Sequence, residues 1–357
     1  MRFNLKEWLF IVSAFIIFFY LYSLYSYFGI QDFIKEGVLH DYFDTNAWHL
    51  EIILTGILFG TLFILINRLT ETKVIRKRSF GFNILLKSAL YILALSIIGV
   101  SLYKFFSLLR LINPEMQENL KNFPSFSLIS SFLAYWLMFV LLTNFIISIS
   151  NKFGPRTMVE LLIGKYYHPR NEELVFLFLD LKDSTRIAEK LGNNAYSRFI
   201  KESVHELTPV ILKHKARIYQ YVGDEVVLYW KLKDGFKHLN CINTYFEFNK
   251  ILKQREGSFL SKYGEVPRYK AGMDAGLVTL TEIGDVKREI AFHGDVLNTA
   301  ARLEAKCNDF NEQLIVSEHI LDQMDADHKY QCKFLSDIPL RGKVKNLKFY
   351  SVNEKQN

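Results

Sequence analysis

Apolar residues crowd the first 150 positions in four long runs, whereas the remainder of the chain alternates shorter apolar stretches with charges and turn residues. The runs are Trp8 to Phe28, Leu50 to Leu69, Ile84 to Phe106 and Phe126 to Ile149. Each reaches the roughly 20 residues a helix needs to cross hydrocarbon, and backbone groups in lipid must bond within their own segment, so all four are predicted as membrane-spanning helices. The first is too long for a signal-peptide core and lacks a small-residue cleavage site, so it is expected to stay attached. Gly154 and Pro155 then break the pattern, Met158 to Ile163 reads as one or two helical turns, and Gly164 ends them.

Beyond this connector the periods shorten. Leu174 to Leu179 is an unbroken apolar run ending at Asp180, the signature of a strand buried on both faces with a carboxylate at its exit. Ser184 and Thr185 are N-cap residues for a helix to about Leu191, and a second helix is predicted from Ala195 to about Lys213. Two β-rich segments within Ala216 to Trp230 pivot on Gly223-Asp224, which predicts a hairpin. Phe236 to Arg255 reads as an amphipathic helix packing Phe246 and Phe248. The division expected is a four-span membrane domain over 1–150, a connector over 151–172 and a cytosolic α/β domain over 173–353.

Charge settles the orientation expected for the spans. Arg2 and Lys6, then Arg68, Lys73, Arg76, Lys77 and Arg78, then Lys152 and Arg156 fall on one side, while Asp32, Glu36, Asp41 and Asp44 fall on the other. The positive side is cytoplasmic, which places both termini and the second domain inside the cell as part of a multi-pass protein of the cell (inner) membrane. Lys87 and Lys104 lie near the ends of the third run and are expected to snorkel toward headgroups. The spans carry no central acid or paired charge, which argues against a transporter. Over 357 residues the chain is 50% hydrophobic and 23% charged with a net charge of +7, but its basic residues flank apolar runs, so a lipid bilayer is the expected partner and nucleic acid is not. Cys241, Cys307 and Cys332 match no zinc spacing and are expected to be reduced thiols.

The chemistry suggested by the second half begins with two acids. If the strand ending at Asp180 pairs with the hairpin whose tip is Asp224, two carboxylates meet and offer hard oxygen ligands for Mg²⁺ shared with a nucleotide's phosphates. Two such ions can activate an attacking hydroxyl and neutralise a leaving pyrophosphate. Asn298 and Arg302, one turn apart on a helix opening near Gly294, share a face. Taken singly, Asn298 reads as a helix-surface amide and Arg302 as the partner of a nearby acid such as Glu304.

Three blocks in order, Phe178-Leu-Asp180-Leu-Lys-Asp-Ser-Thr185, Val222-Gly-Asp224-Glu225 and His293-Gly-Asp-Val-Leu-Asn298-Thr-Ala-Ala-Arg302-Leu-Glu304, resemble those of the class III nucleotidyl cyclases. The resemblance covers about Glu173 to Val352. It implies a ferredoxin-like α/β catalytic domain, a sheet flanked by helices, with Asp180 and Asp224 as metal ligands and the backbone carbonyl of Leu181 as a further one. It assigns Asn298 to the ribose and Arg302 to the α-phosphate, with Arg341 and then Lys343, in Leu340-Arg-Gly-Lys343, gripping the triphosphate. The positions that read the base are Gln220, where relatives commonly carry lysine, and Ala291, where they carry aspartate or threonine. Only the first can hydrogen-bond through its side chain. Leu277 replaces an arginine that many relatives place on phosphate, with Lys270 a possible substitute.

In this family the metal aspartates come from one protomer and the asparagine and arginine from the other, so the resemblance implies a homodimer with two equivalent sites. The reaction it implies is conversion of ATP into 3′,5′-cyclic AMP and pyrophosphate with two Mg²⁺ or Mn²⁺ ions per site. A guanylate cyclase, a diguanylate cyclase sharing the Gly-Asp-Glu hairpin, and a catalytically inactive cyclase-homology module are the alternatives. The Asn298 and Arg302 block disfavours the second, and the two retained aspartates disfavour the third.

Overall fold

The computed structural model describes residues 5–30, 47–70, 80–108, 155–286, 288–324, 329–339 and 346–355, with 138, 141, 143 and 145 besides. The chain divides into two units, Met1–Val159 and Glu160–Asn357. In the first, α1 (Leu5–Ile30), α2 (Ala47–Thr70) and α3 (Phe80–Leu108) coincide with the first three predicted runs. Among the described residues two stretches, Trp48–Thr70 and Gly81–Leu108, are long and apolar enough to cross a membrane, while the apolar part of α1, Ile11–Leu24, is shorter. Nearly all of the fourth run lies outside the described residues.

Small residues set how these helices pack. A Cβ placed on Gly56 would sit 2.4 Å from Cγ1 and 3.0 Å from Cα of Ile16, and one on Gly60 would sit 3.1 Å from Cα of Val12. The Gly-x-x-x-Gly spacing thus lets α1 and α2 approach to backbone contact, the means by which helices associate where lipid removes the hydrophobic drive. Around that crossing Phe15 meets Phe59 edge-on at 5.0 Å, and Phe63 stacks on Tyr91 of α3 at 5.0 Å. Lys87, expected to snorkel, donates to Oδ1 of Asn67 at 2.9 Å and so joins α3 to the last turns of α2. Gly56→Leu is expected to force α1 from α2 and to lower the melting temperature of the detergent-solubilised protein. Gly99→Leu is the control, since nothing among the described residues lies within 4 Å of its Cβ position.

The second unit is built on one eight-stranded sheet in the order β2-β3-β1-β4-β6-β8-β7, with β5 paired to β4. Its strands are β1 (Arg170–Leu181), β2 (Arg217–Val222), β3 (Glu225–Lys231), β4 (Tyr269–Ile283), β5 (Glu289–His293), β6 (Leu314–Ser317), β7 (Tyr330–Pro339) and β8 (Asn346–Glu354). The first four, with the helices between them, form a β-α-β-β-α-β array in antiparallel order β4-β1-β3-β2, which is the ferredoxin-like arrangement. The apolar run Leu174–Leu179 becomes the central strand because both of its faces are covered. Val175, Leu177 and Leu179 pack under α5 (Ser184–Lys213) and α7 (Asn240–Gln254), while Leu174, Phe176 and Phe178 pack under α9 (Asp295–Phe310).

Local signals held with instructive exceptions. The two helices predicted on either side of 192–194 are one element, α5, broken at Gly192, which takes φ 70 and ψ 160. Its N-cap is Asp183 in a left-handed conformation rather than Ser184 or Thr185. The connector forms α4 (Pro155–Leu162) and ends before Gly164 at φ 63, a conformation glycine adopts without strain. Tyr166, two residues on, is 2% exposed, packs with Phe176, and accepts the backbone N–H of Glu282 on its carbonyl oxygen at 2.8 Å.

Candidate functional site

Strand alternation assembles the site. On β1 Phe176 and Phe178 face α9, so Asp180, two residues on, lies on that side. On β3 Val227 and Tyr229 face the same way, and Glu225 lies two residues before Val227. On β4 Lys270 is the cross-strand partner of Asp180. Glu225, Asp180 and Lys270 therefore form a charged row across β3, β1 and β4, and α9 lies over it.

The row is closed from above by Glu304 of α9. The Lys270 ammonium is 3.1 Å from Oδ2 of Asp180 and 2.5 Å from Oε1 of Glu304. Burial pulls Lys270 downward, but its bonds to Glu304 and then to Asp180 outweigh that and hold it above the ordinary lysine value. The tight turn Gly223-Asp224, with Gly223 at φ 61, brings Asp224 beside Asp180. Burial and then the charge on Asp180 raise the Asp224 carboxyl, opposed by a hydrogen bond from Ser184. Glu225 is pushed up to about 7, by burial first and then by Asp180, Glu304 and Asp224.

Asp180 and Glu304 thus share the Lys270 ammonium, while Asp224 and Glu225 lie close enough to Asp180 for its charge to raise both carboxyls. Oδ2 of Asp224 is buried without a hydrogen-bond partner. Uncompensated, such a cluster is costly; an excess of hard anionic oxygens with an orphaned acceptor is the donor set that divalent cations satisfy. The side chain of Leu181 packs into the opposite core, which leaves only its backbone carbonyl for a ligand role.

The remaining expected residues lie apart from this cluster. Asn298 and Arg302 are both exposed on α9, on the face opposite Ala300, Leu303 and Glu304. Glu304, weighed above as a partner for Arg302, is bound instead by Lys270, and Lys270 is thereby committed to carboxylates rather than free to replace the arginine missing at Leu277. Leu277 is 61% exposed on β4. Gln220 on β2 is exposed and Ala291 on β5 half-buried, and the rings of their chain neighbours Tyr219 and Phe292 lie 4.7 Å apart. Arg341 and Lys343 lie outside the described residues. A separate cleft of about 440 Å³ at the start of α9 is bordered by Glu173, Asp274, Asp295 and Asp322, an acidic lining unsuited to a triphosphate.

Sequence reasoning did not assign Glu225 and Glu304 to the site. Glu225 adjoins Asp224 in the second block, and the two-residue period of β3 was the signal that could have placed it with Asp180.

The family model for the adenylate and guanylate cyclase catalytic domain matches residues 166–354. The chain belongs to this family. Adenylate cyclase 2 of Rhizobium meliloti is 29% identical over 208 residues, which cover 58% of this chain and 57% of that protein. The chain thus matches little more than half the length of this curated cyclase. Two solved structures of a bacterial light-regulated adenylyl cyclase share the cyclase fold. One is 19% identical with a TM-score of 0.55 and covers 67% of this chain and 68% of its own; the other is 20% identical with a TM-score of 0.54, covering 62% and 65%.

Proposed function

We propose that the protein is a membrane-anchored adenylate cyclase that converts ATP into 3′,5′-cyclic AMP and pyrophosphate at sites shared between two copies of the chain. The observation that carries this reading is the carboxylate cluster of Asp180 and Asp224, with its orphaned Oδ2, on a cyclase-family sheet. Asp180 and Asp224, with the carbonyl of Leu181, would hold Mg²⁺ or Mn²⁺. Bound there, two ions would lower the pKa of the ribose 3′-hydroxyl and offset the charge on the departing pyrophosphate.

The protein's own part is positioning and charge. The 3′-hydroxyl gives its proton to water and its oxygen forms a bond to the α-phosphorus, as the bond from that phosphorus to the pyrophosphate oxygen breaks and pyrophosphate leaves with the electron pair. Arg302 donates to the α-phosphate oxygens as charge grows on them, and Asn298 fixes the ribose so that the hydroxyl lies in line. Arg341 and Lys343 would hold the triphosphate. Gln220 would meet the adenine edge through its amide, with Ala291 leaving space beside it. Because Asn298 and Arg302 are exposed on the face of α9 turned from their own carboxylates, they suit delivery to a partner copy, as a head-to-tail homodimer requires. α2 and α3, together with α1 and the fourth apolar run, would anchor residues 1–150 in the bilayer, with the connector and the catalytic domain in the cytoplasm.

The test is to incubate the purified full-length protein with Mg²⁺ or Mn²⁺ and either ATP or GTP, and to identify products by mass spectrometry. Cyclic AMP from ATP is expected. Cyclic GMP would reassign the substrate, cyclic di-GMP the reaction, and absence of product with either metal would leave a nucleotide-sensing module.

A further inference from the structure

Lys270 is 8% exposed and its ammonium is shared between carboxylates on two different elements, Asp180 of β1 and Glu304 of α9. It reaches Asp180 from the neighbouring strand, in direct register. A positive charge 3.1 Å from Oδ2 of Asp180 does part of what a metal ion would do there, since it neutralises the carboxylate. Such a charge also repels a divalent cation approaching the same carboxylate, an interaction that stays strong where water is scarce. Glu304 changes the balance, because its contact with the ammonium at 2.5 Å is shorter than that of Asp180 and gives the lysine a second seat.

We propose that Lys270 is a resident counter-cation that competes with metal for Asp180, and that Glu304 holds the ammonium when metal binds, so that this pair sets the affinity of the site. The inference rests on Asp180 and Asp224 being metal ligands, as proposed above. Lys270 and Glu304 are positioning residues on this reading: they act on the metal only through Asp180 and through charge.

The signs separate this role from a merely structural one. Lys270→Met removes the competitor and is expected to tighten Mn²⁺ binding about tenfold, whereas Glu304→Gln returns the ammonium to Asp180 and weakens it about tenfold. The double variant is expected to bind Mn²⁺ about as tightly as Lys270→Met, because without the ammonium Glu304 has nothing to hold, and Lys270→Arg, which keeps the charge, is expected to stay near wild type. Binding is read on the full-length protein in detergent by the paramagnetic resonance of free Mn²⁺, with melting temperature recorded for every variant. Asp180→Asn serves as the reference. If it leaves Mn²⁺ binding unchanged, the ligand assignment falls and the proposal with it. If Asp180→Asn loses binding but Lys270→Met weakens it or leaves it unchanged, or Glu304→Gln leaves it unchanged, only the counter-cation proposal is overturned. A destabilised core would weaken binding in both single variants, so tighter binding by Lys270→Met is a result that structural damage does not produce.

Discussion

Asp180→Ala and Arg302→Ala proteins are each expected to form cyclic AMP at least about a hundredfold more slowly than wild type, and their co-expression is expected to restore about a quarter of the wild-type rate. The losses follow from the chemistry. Without Asp180 the row across β3, β1 and β4 loses its central carboxylate, and without Arg302 the group proposed to donate to the α-phosphate is gone. The recovery follows from symmetry. A mixed dimer places both lesions in one site and leaves the other intact, and random pairing makes about half of all dimers mixed, so about a quarter of the sites are intact. Sites contained within one protomer would show no recovery above the sum of the two single variants. Product formation in membranes from co-expressing cells, normalised to protein amount, makes the measurement.

The same geometry shows which parts of this site a sequence reveals. Asp180 and Asp224 were legible because each closes a local pattern: an apolar run that must become a buried strand, and a Gly-Asp step between two β-rich segments. Asn298 and Arg302 were legible as a pair because helical spacing places them on one face. Lys270 and Glu304 were not assigned to the carboxylates, because their relation to Asp180 depends on the register between β1 and β4 and on the helix face that α9 turns inward. Register between strands distant in sequence is fixed by the assembled sheet, not by a local turn. Hence Glu304, two residues from Arg302, was weighed as its partner only when the arginine was taken singly, and the two side chains leave the helix on different sides.

Helix boundaries followed the same logic. Gly192 marked the break inside α5, yet Asp183 rather than Ser184 took the N-cap, because the chain leaves β1 through a left-handed residue. Two of the four apolar runs were legible from composition alone as helices long and apolar enough to span, since length and apolarity decide that. The packing of α1 on α2 through Gly56 and Gly60 needed coordinates, because a pair of glycines four apart does not say which helix it meets.

Gly272→Ala is expected to be the most damaging single-methyl change in the catalytic unit. Gly272 lies on β4 where α9 crosses the sheet, and a Cβ there would sit 2.1 Å from the backbone nitrogen of Glu304 and 2.2 Å from the carbonyl oxygen of Ala300. These atoms belong to the helix backbone and cannot swing aside as a side-chain tip could, so the whole of α9 must lift or tilt. Val296 and Ala300, which pack beneath it against Phe176 and Val278, would lose contact. Forced overpacking of this kind costs about 3 kcal/mol, toward the upper end for a single added methyl. The catalytic cost is larger still, because the same helix carries Glu304 on its buried face and Asn298 and Arg302 on its exposed face, and a displacement of about 1 Å in positioning groups slows such reactions about a hundredfold. Gly257→Ala provides the contrast. Gly257 lies exposed in α8 (Glu256–Tyr263) with nothing within 4 Å of its Cβ position, so the methyl there meets no atom and restricts the unfolded chain, raising stability by about 0.5 kcal/mol. Opposite shifts in the melting temperature of the two alanine variants, with cyclic AMP formation lost only in Gly272→Ala, are the expected result. Equal shifts would mean that α9 does not press on β4 at Gly272.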